Sequence, residues 1–510
     1  MKQAAPAGPS PAGRRRFPPA RDLTGPLPAG YRWTVLINTT IAGFMASLDG
    51  SILTVSLPTI ARDLNTGVSL MLWIMMGYTV VITALLLPLG RLADMRGRVR
   101  FYLAGFIIFT LGSLFSGLSW SGVALLGGRM FQGIGAALMW SNSTAILTDA
   151  FPAEDRGTAL GINQMSMLAG SVGGLILGGV ITELLGWRWI FFVNVPIGTF
   201  GAIWTYYGLR EVGTLAKGES VDWWGVGLFV SGLVAILLSL TRIVSGAHGI
   251  FVALLFAVGI VLLTLFVLVE RRQLAPMMDI ALLRIRPFTV GNASQFLNAL
   301  ARGALMFMLT FAFQGVLGAS PLRAGILILP LSLTILLVGP ISGRLSDTMG
   351  SRGLSSVGLA ISAVALFMLA VIPLTGPYLP VGLALVVAGL GNGLFNSPNT
   401  SAVMGSVPAD RRGVAASMRS LVFNAGQLFS IALAFTIVST SMGANQLAAF
   451  LAGATVGVSA HEGALFDVGL RHALYLSTAL SLVAAGLSLL RGANIGPTAT
   501  GGHGPLVEEI

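Results

Sequence analysis

The stretch GRLADMRGRVR, residues 90–100, places five charged side chains between two long apolar runs. A weaker copy, GRLSDTMGSRG, stands at 343–353, an offset of 253 residues. A second pair, FPAEDRGTALG at 151 and VPADRRGVAAS at 407, repeats at an offset of 256. Two matched pairs at nearly one offset argue for duplicated halves. Short charged joints between apolar runs are what a chain needs where it turns at a membrane surface.

The composition agrees. Apolar residues make up 55% of the 510 and charged residues only 10%, against roughly a quarter charged in soluble domains. Runs near the ~20 residues needed to cross a bilayer recur along the length. They read as fourteen spans: 33–57, 69–90, 100–118, 121–147, 159–183, 189–209, 223–243, 249–269, 288–314, 322–343, 354–374, 379–403, 414–439 and 470–490. The fold class is therefore an all-α polytopic membrane protein, with two six-helix bundles and two extra helices, spans 7 and 8, between them. Those two spans carry few polar side chains and are expected to face lipid all round.

The expected organisation is a disordered tail at 1–31, a bundle at 32–210, the insertion at 211–287, a second bundle at 288–491 and a tail at 492–510. Fourteen spans put both termini on one side. That side collects 22 of the 30 Lys and Arg, and the opposite loops hold Arg62, Arg188, Arg242, Arg323 and Arg471. By the positive-inside rule both termini are cytoplasmic, in the inner membrane of a cell. The basic residues are spread over loops, so no nucleic-acid partner is expected. With no cysteine, thiolate metal sites and nucleophiles are excluded. His248, His461, His472 and His503 lack metal-ligand spacing, and no metal, cofactor or enzymatic activity is expected.

Several stretches together resemble the major facilitator superfamily, in particular its fourteen-helix drug–proton antiporter branch. SLDGSILTVSLPTI (47–60) is similar to that branch's first-helix motif, and MLWIMMGYTV (71–80) to its W-x4-Y second helix. GRLADMRGRVR resembles the loop signature G-x-L-a-D-r-x-G-r. LLGGRMFQGIGAA (125–137) is similar to the fourth-helix motif, and GWRWIFFVNVPIG (186–198) to the entry of the sixth helix. GSVGGLILGG (170–179) departs from the antiporter pattern, with Leu175 where the family carries Pro. The resemblance implies a monomeric multidrug efflux transporter that binds a small molecule, uses the proton gradient and works by alternating access. It also implies proton coupling by Asp49 and Arg129, and a conformational latch at Gly90, Asp94, Gly97 and Arg98.

The residues support part of this independently. An ionisable side chain at mid-bilayer costs roughly 2.5–3.5 kcal/mol on insertion scales, so each needs a reason. Asp49 and Arg129 fall at similar depth in spans 1 and 4. Arg302 stands near the middle of span 9, where Asn292, Gln295, Asn298 and Arg302 share one helix face. Asn396 and Asn399 in span 12, and Ser417, Ser420, Asn424 and Gln427 in span 13, repeat that polar pattern. With Trp73 and Tyr78 on span 2 and Gln132 and Asn142 on span 4, they are the expected lining of a substrate cavity. Interhelical amide bonding is the competing account. Acid is scarce inside, which disfavours dications and leaves a lipophilic monocation, a neutral amphiphile or an anion as cargo. The alternative to a drug exporter is a transporter of one polar metabolite, such as a sugar, amino acid or organic anion. Gly170, Gly174 and Gly178 form a strip for close helix packing, and Trp187 and Trp189 suit an interfacial aromatic belt.

Overall fold

The computed structural model describes residues 30–152, 155–212, 222–247, 249–273, 278, 280–408, 411–443, 446–447, 450–451 and 459–491. The two expected tails, apart from Gly30 and Tyr31, lie outside these residues, as do His248 and His503. Among the described residues fourteen helices are long and apolar enough to cross a membrane. They are α1 (Tyr31–Asp63), α2 (Val68–Arg96), α3 (Arg98–Gly117), α4 (Gly122–Ala150), α5 (Thr158–Leu184), α6 (Trp189–Gly208) and α7 (Trp223–Val244). The rest are α8 (Ile250–Glu270), α9 (Arg286–Val316), α10 (Pro321–Ser346), α11 (Ser351–Val371), α12 (Tyr378–Gly405), α13 (Val414–Ser441) and α14 (His461–Leu489). Helices satisfy every backbone group internally, which lipid requires.

The duplication read from the loops is visible in the packing. In the first half α1 lies against α5, α3 against α4, and α2 against α4; in the second, α9 lies against α13, α11 against α12, and α10 against α12. Glycines set these approaches. A Cβ at Gly174 would stand 2.7 Å from the Leu48 carbonyl oxygen, and one at Gly178 would stand 2.9 Å from that of Ile52. The glycine strip on α5 thus holds the part of α1 that carries Asp49.

The halves meet through α5 and α10 and through α2 and α13. At the face away from the termini, Gly179 packs on Leu322 and Gly325 on the Leu175 carbonyl. Gln314 of α9 donates to the Val55 carbonyl of α1 at 2.9 Å. Toward the terminal face the same surfaces separate. Thr158, Gly161 and Met165 share the Gly179 side of α5 and are exposed, as are Leu333, Pro340 and Arg344 on the Leu322 side of α10. Gly50, midway along α1, is also exposed, with no atom within 4 Å of where its Cβ would stand. The molecule is closed at the far face and open at the terminal face.

The inserted pair divides in character. Only 17% of the most apolar window of α8 is buried, as expected of a lipid-facing helix, but 50% of that of α7 is. Helix α7 lies in the seam between the halves, against both α2 and α13. Trp73 donates its indole N–H to Thr241 of α7 at 3.3 Å. The expectation that both inserted helices face lipid fails for α7 because its packing partners are distant in sequence.

Candidate functional site

Asp49 is fully buried, and three donors converge on its carboxylate. Arg129 Nη1 reaches Oδ2 at 2.5 Å, while Gln132 Nε2 and Asn194 Nδ2 reach Oδ1 at 2.9 and 2.8 Å. Arg129 Nη1 also donates to Gln132 Oε1 at 2.6 Å. The same two amides donate to Ser113 Oγ, at 3.0 and 3.1 Å. The Arg129 guanidinium lies over the Tyr78 ring, 4.3 Å from its centroid, and 5.8 Å from that of Phe191. Charge-assisted bonds of this kind are short and strong, and the aromatic face adds cation–π attraction.

Five helices, α1, α2, α3, α4 and α6, build this cluster, and close helix contact makes it possible. A Cβ at Gly112 would stand 2.6 Å from the Gln132 backbone nitrogen, so α3 presses on α4 and brings Ser113 to the amides. Asn194 enters because α6 is two helices, Trp189–Phe192 and Asn194–Gly208, that meet at Val193. Sequence reasoning found Asp49 and Arg129 but assigned Gln132 and Tyr78 to the substrate cavity; both are part of the charge cluster. It missed Ser113 and Asn194, although Asn194 stands out as an amide within WIFFVNVPIG.

The remaining cavity candidates scatter. Trp73 is spent on Thr241, as above. Asn142 donates to the carbonyl of Leu138, one turn back on its own helix, at 2.7 Å. In the second half, Asn399 donates to Gln295 Oε1 at 3.2 Å and to the Gly291 carbonyl at 3.3 Å. The buried Arg491 donates to Asn399 Oδ1. Asn298 and Asn396 both donate to Asn392 Oδ1, at 3.5 and 3.3 Å. Much of the amide face on α9 and α12 therefore bonds helix to helix. Asn424 is buried with its amide nitrogen unpartnered, and Gln427 is half-buried.

Arg302 stands apart. Helix α9 breaks directly after it, at Gly303 and Ala304. Gly303 packs on Gln427, and the Ala304 N–H donates to Ser430 Oγ of α13 at 2.9 Å. Arg302 is half-buried, its Nε enclosed and without an acceptor.

At the terminal face the charged joint forms a second cluster. Arg98 bridges Asp94 and Asp149, each at 2.6 Å. Glu211, just past α6, accepts from the backbone N–H groups of Arg98 and Val99 at 2.8 and 3.1 Å, and so caps α3. Burial pushes the Glu211 carboxyl above its ordinary range, against the pull of these two N–H donors and of Arg100 and Arg98. Gly97 has φ 115°, which favours glycine at the turn, and Gly90 allows α2 to approach Ser141 of α4. In this state the joint is bound within the first half, through Asp149 and Glu211, two acids the sequence reading did not single out. Trp187, expected at an interfacial belt, is instead buried and donates to Asp63 at 3.1 Å, whereas Trp189 is exposed.

A fourteen-helix duplicated fold with an ion pair sealed in one half and a space open at one face defines a membrane transporter. Comparison with known proteins makes this specific. The profile of the Major Facilitator Superfamily matches residues 39–431, and the chain belongs to that family. The riboflavin transporter RibZ of Clostridioides difficile is 33% identical over 78% of this chain and 87% of its own. The multidrug resistance protein Stp of Mycobacterium tuberculosis is 31% identical over 80% and 76%. Among solved structures, a bacterial homolog of the human lysosomal transporter Spinster matches with a TM-score of 0.63 at 19% identity, covering 90% of this chain and 97% of its own. The chain is accordingly a multi-pass transporter and not an enzyme, similar to drug-efflux proteins.

Proposed function

We propose that this transporter exports lipophilic or amphiphilic small molecules, drugs among them, in exchange for protons by alternating access. It works as a monomer in the cytoplasmic membrane with both termini in the cytoplasm, so the open face receives cargo from inside. The observation that carries the reading is the sealed Asp49–Arg129 pair with its amide partners.

A proton arriving at Asp49 removes the charge that Arg129 faces. A guanidinium cannot release its own proton at useful pH. Arg129 is then a buried charge without compensation, an imbalance of about 3–5 kcal/mol where one member of such a pair is lost. That is comparable to the roughly 5.5 kcal/mol that inverts a 1:99 population. Protonation therefore biases α1 against α4, the helices that carry the pair, and loss of the proton restores the fit. The resemblance of the chain to the multidrug resistance protein Stp supports drug-like cargo. In proteoliposomes, Asp49→Asn should abolish pH-driven flux while the protein elutes as a folded monomer; unchanged coupling in that variant defeats the proposal.

A second reading, a carrier of one polar metabolite, is supported by similarity to a riboflavin transporter. Competition of riboflavin against hydrophobic dyes in the same liposomes separates the two.

A further inference from the structure

We propose that the cargo is an amphiphilic organic anion, and that Arg302 holds its acidic group after Arg419 has drawn it in. This rests on the exporter reading above and specifies the charge of what is exported.

Charge is matched unevenly across the two halves. The first half is balanced at depth, with Asp49 paired to Arg129. The second half is not. Helices α9, α10, α11, α12 and α13 contain no Asp or Glu within their spans. In α14 the two acids lie near the far end, where Asp467 is bonded to Arg471 at 2.9 Å and Glu462 to Ser459. Arg302 and Arg419 nevertheless sit inside α9 and α13, and neither forms an ion pair or hydrogen bond with any described residue. A cation as deep as Arg302 without a counter-charge is costly unless something mobile supplies it, while Arg419 lies nearer the terminal face.

Their placement fits a path. Arg302 is 16 residues into α9, about 24 Å from its terminal-face end at 1.5 Å per residue. Arg419 is five residues into α13, about 8 Å in on the same scale. On α13, Arg419 lies on the side of Gly426 and Ser430, which pack against α9 around Ala299 and Ala304. Both side chains are half-buried, and the molecule is open at the face from which they are reached. Arg302 also marks the break in α9, and discontinuous helices are where membrane transporters commonly build substrate sites. Gln427, half-buried beside the break, offers an amide to the neutral part of the same molecule. A guanidinium presents a forked donor suited to a carboxylate or sulfonate, and a cationic cargo would meet repulsion at both positions.

Three amphiphiles serve as probes on the full-length protein: naphthalenesulfonate, riboflavin and tetraphenylphosphonium. In detergent, naphthalenesulfonate should raise the midpoint of thermal unfolding. Arg302→Gln should weaken that binding about ten- to a hundredfold, as loss of one contact to a charged group does. Arg302→Lys, which keeps the charge, should recover part of it. The response to riboflavin should be unchanged in both variants. If Arg302→Gln does not fold, Arg302→Lys carries the comparison alone, with binding weakened but not lost; Arg419→Gln should slow naphthalenesulfonate association and leave its equilibrium binding unchanged. Stabilisation by tetraphenylphosphonium in place of naphthalenesulfonate, or wild-type naphthalenesulfonate binding in the Arg302 variants, overturns the assignment. Binding is read without a proton gradient, so the two proposals fail separately. Arginine-dependent anion binding without pH-driven flux defeats the exporter and spares the anion site; pH-driven flux of tetraphenylphosphonium alone does the reverse.

Discussion

Asn194 sets its amide 2.8 Å from Asp49 Oδ1 across 145 residues of chain. It shares that oxygen with Gln132, and both amides rest on Ser113. The carboxylate is thus fixed by α3, α4 and α6 together. Replacing Asn194 with Ala removes one bond to a charged acceptor, worth about 1.5–3 kcal/mol. The expected outcome is a drop in pH-driven flux of about tenfold or more, measured in proteoliposomes, with little change in cargo binding.

Tyr78 supports the pair through its ring, since Arg129 lies over its face. Tyr78→Phe should retain most transport, whereas Tyr78→Leu forfeits a desolvated cation–π contact of about 2 kcal/mol. A Phe variant as impaired as the Leu variant would show that the hydroxyl, not the ring, matters. Turnover at saturating cargo is the measurement.

Gly174 admits no side chain, because a Cβ there meets the Leu48 carbonyl and the Ser51 side chain. Gly174→Val should push α1 from α5 and destabilise the protein by about 1–3 kcal/mol, the range for overpacking. A lowered thermal midpoint in detergent is the expected signature. Gly173, with nothing within 4 Å, is the matched control and should tolerate Ala.

Glu211 gives a pH dependence whose sign is fixed. Burial raises its carboxyl in the folded protein, so its contribution to stability is fully present below the ordinary carboxylate range. That contribution is lost as pH rises through the raised folded value. Relative to Glu211→Gln, the wild type should therefore lose stability as pH increases across that window and show a constant difference above it. Thermal unfolding of both proteins over a pH series in detergent measures this; a difference that does not vary with pH excludes it.

Much of the fold is legible in the chain because hydropathy is a local property. Fourteen apolar runs and two repeated joints are visible without knowing what touches what. The break in α9 is not, since ALARGALM contains no Pro and reads as continuous helix. It follows from Gly303 lying against Gln427 and from Ser430 accepting the Ala304 N–H, both long-range contacts. The bond from Trp73 is hidden for the same reason, as only the inserted α7 supplies Thr241. Of the charge cluster, Asp49 and Arg129 were conspicuous because charge in a span is rare. Ser113 and Asn194 carry no such flag, and only packing shows their aim.

Asp94 and Arg98 are bonded at 2.6 Å, but their side chains are 41% and 25% exposed. Ion pairs this exposed contribute about 0–1 kcal/mol, and Arg98 keeps Asp149 as a second partner. Asp94→Asn should therefore leave thermal stability nearly unchanged. If Asp94 acts as a latch, it must make its important contacts in the state closed at the terminal face, where it can reach the other half. The variant should then populate the present state more heavily, and turnover should fall while cargo binding from the terminal face is maintained. Spin labels at Ile162 on α5 and Ile341 on α10, both exposed here, would report the shift as a longer mean separation. Wild-type turnover with wild-type distances in Asp94→Asn would reduce the joint to a topology signal and a cap for α3.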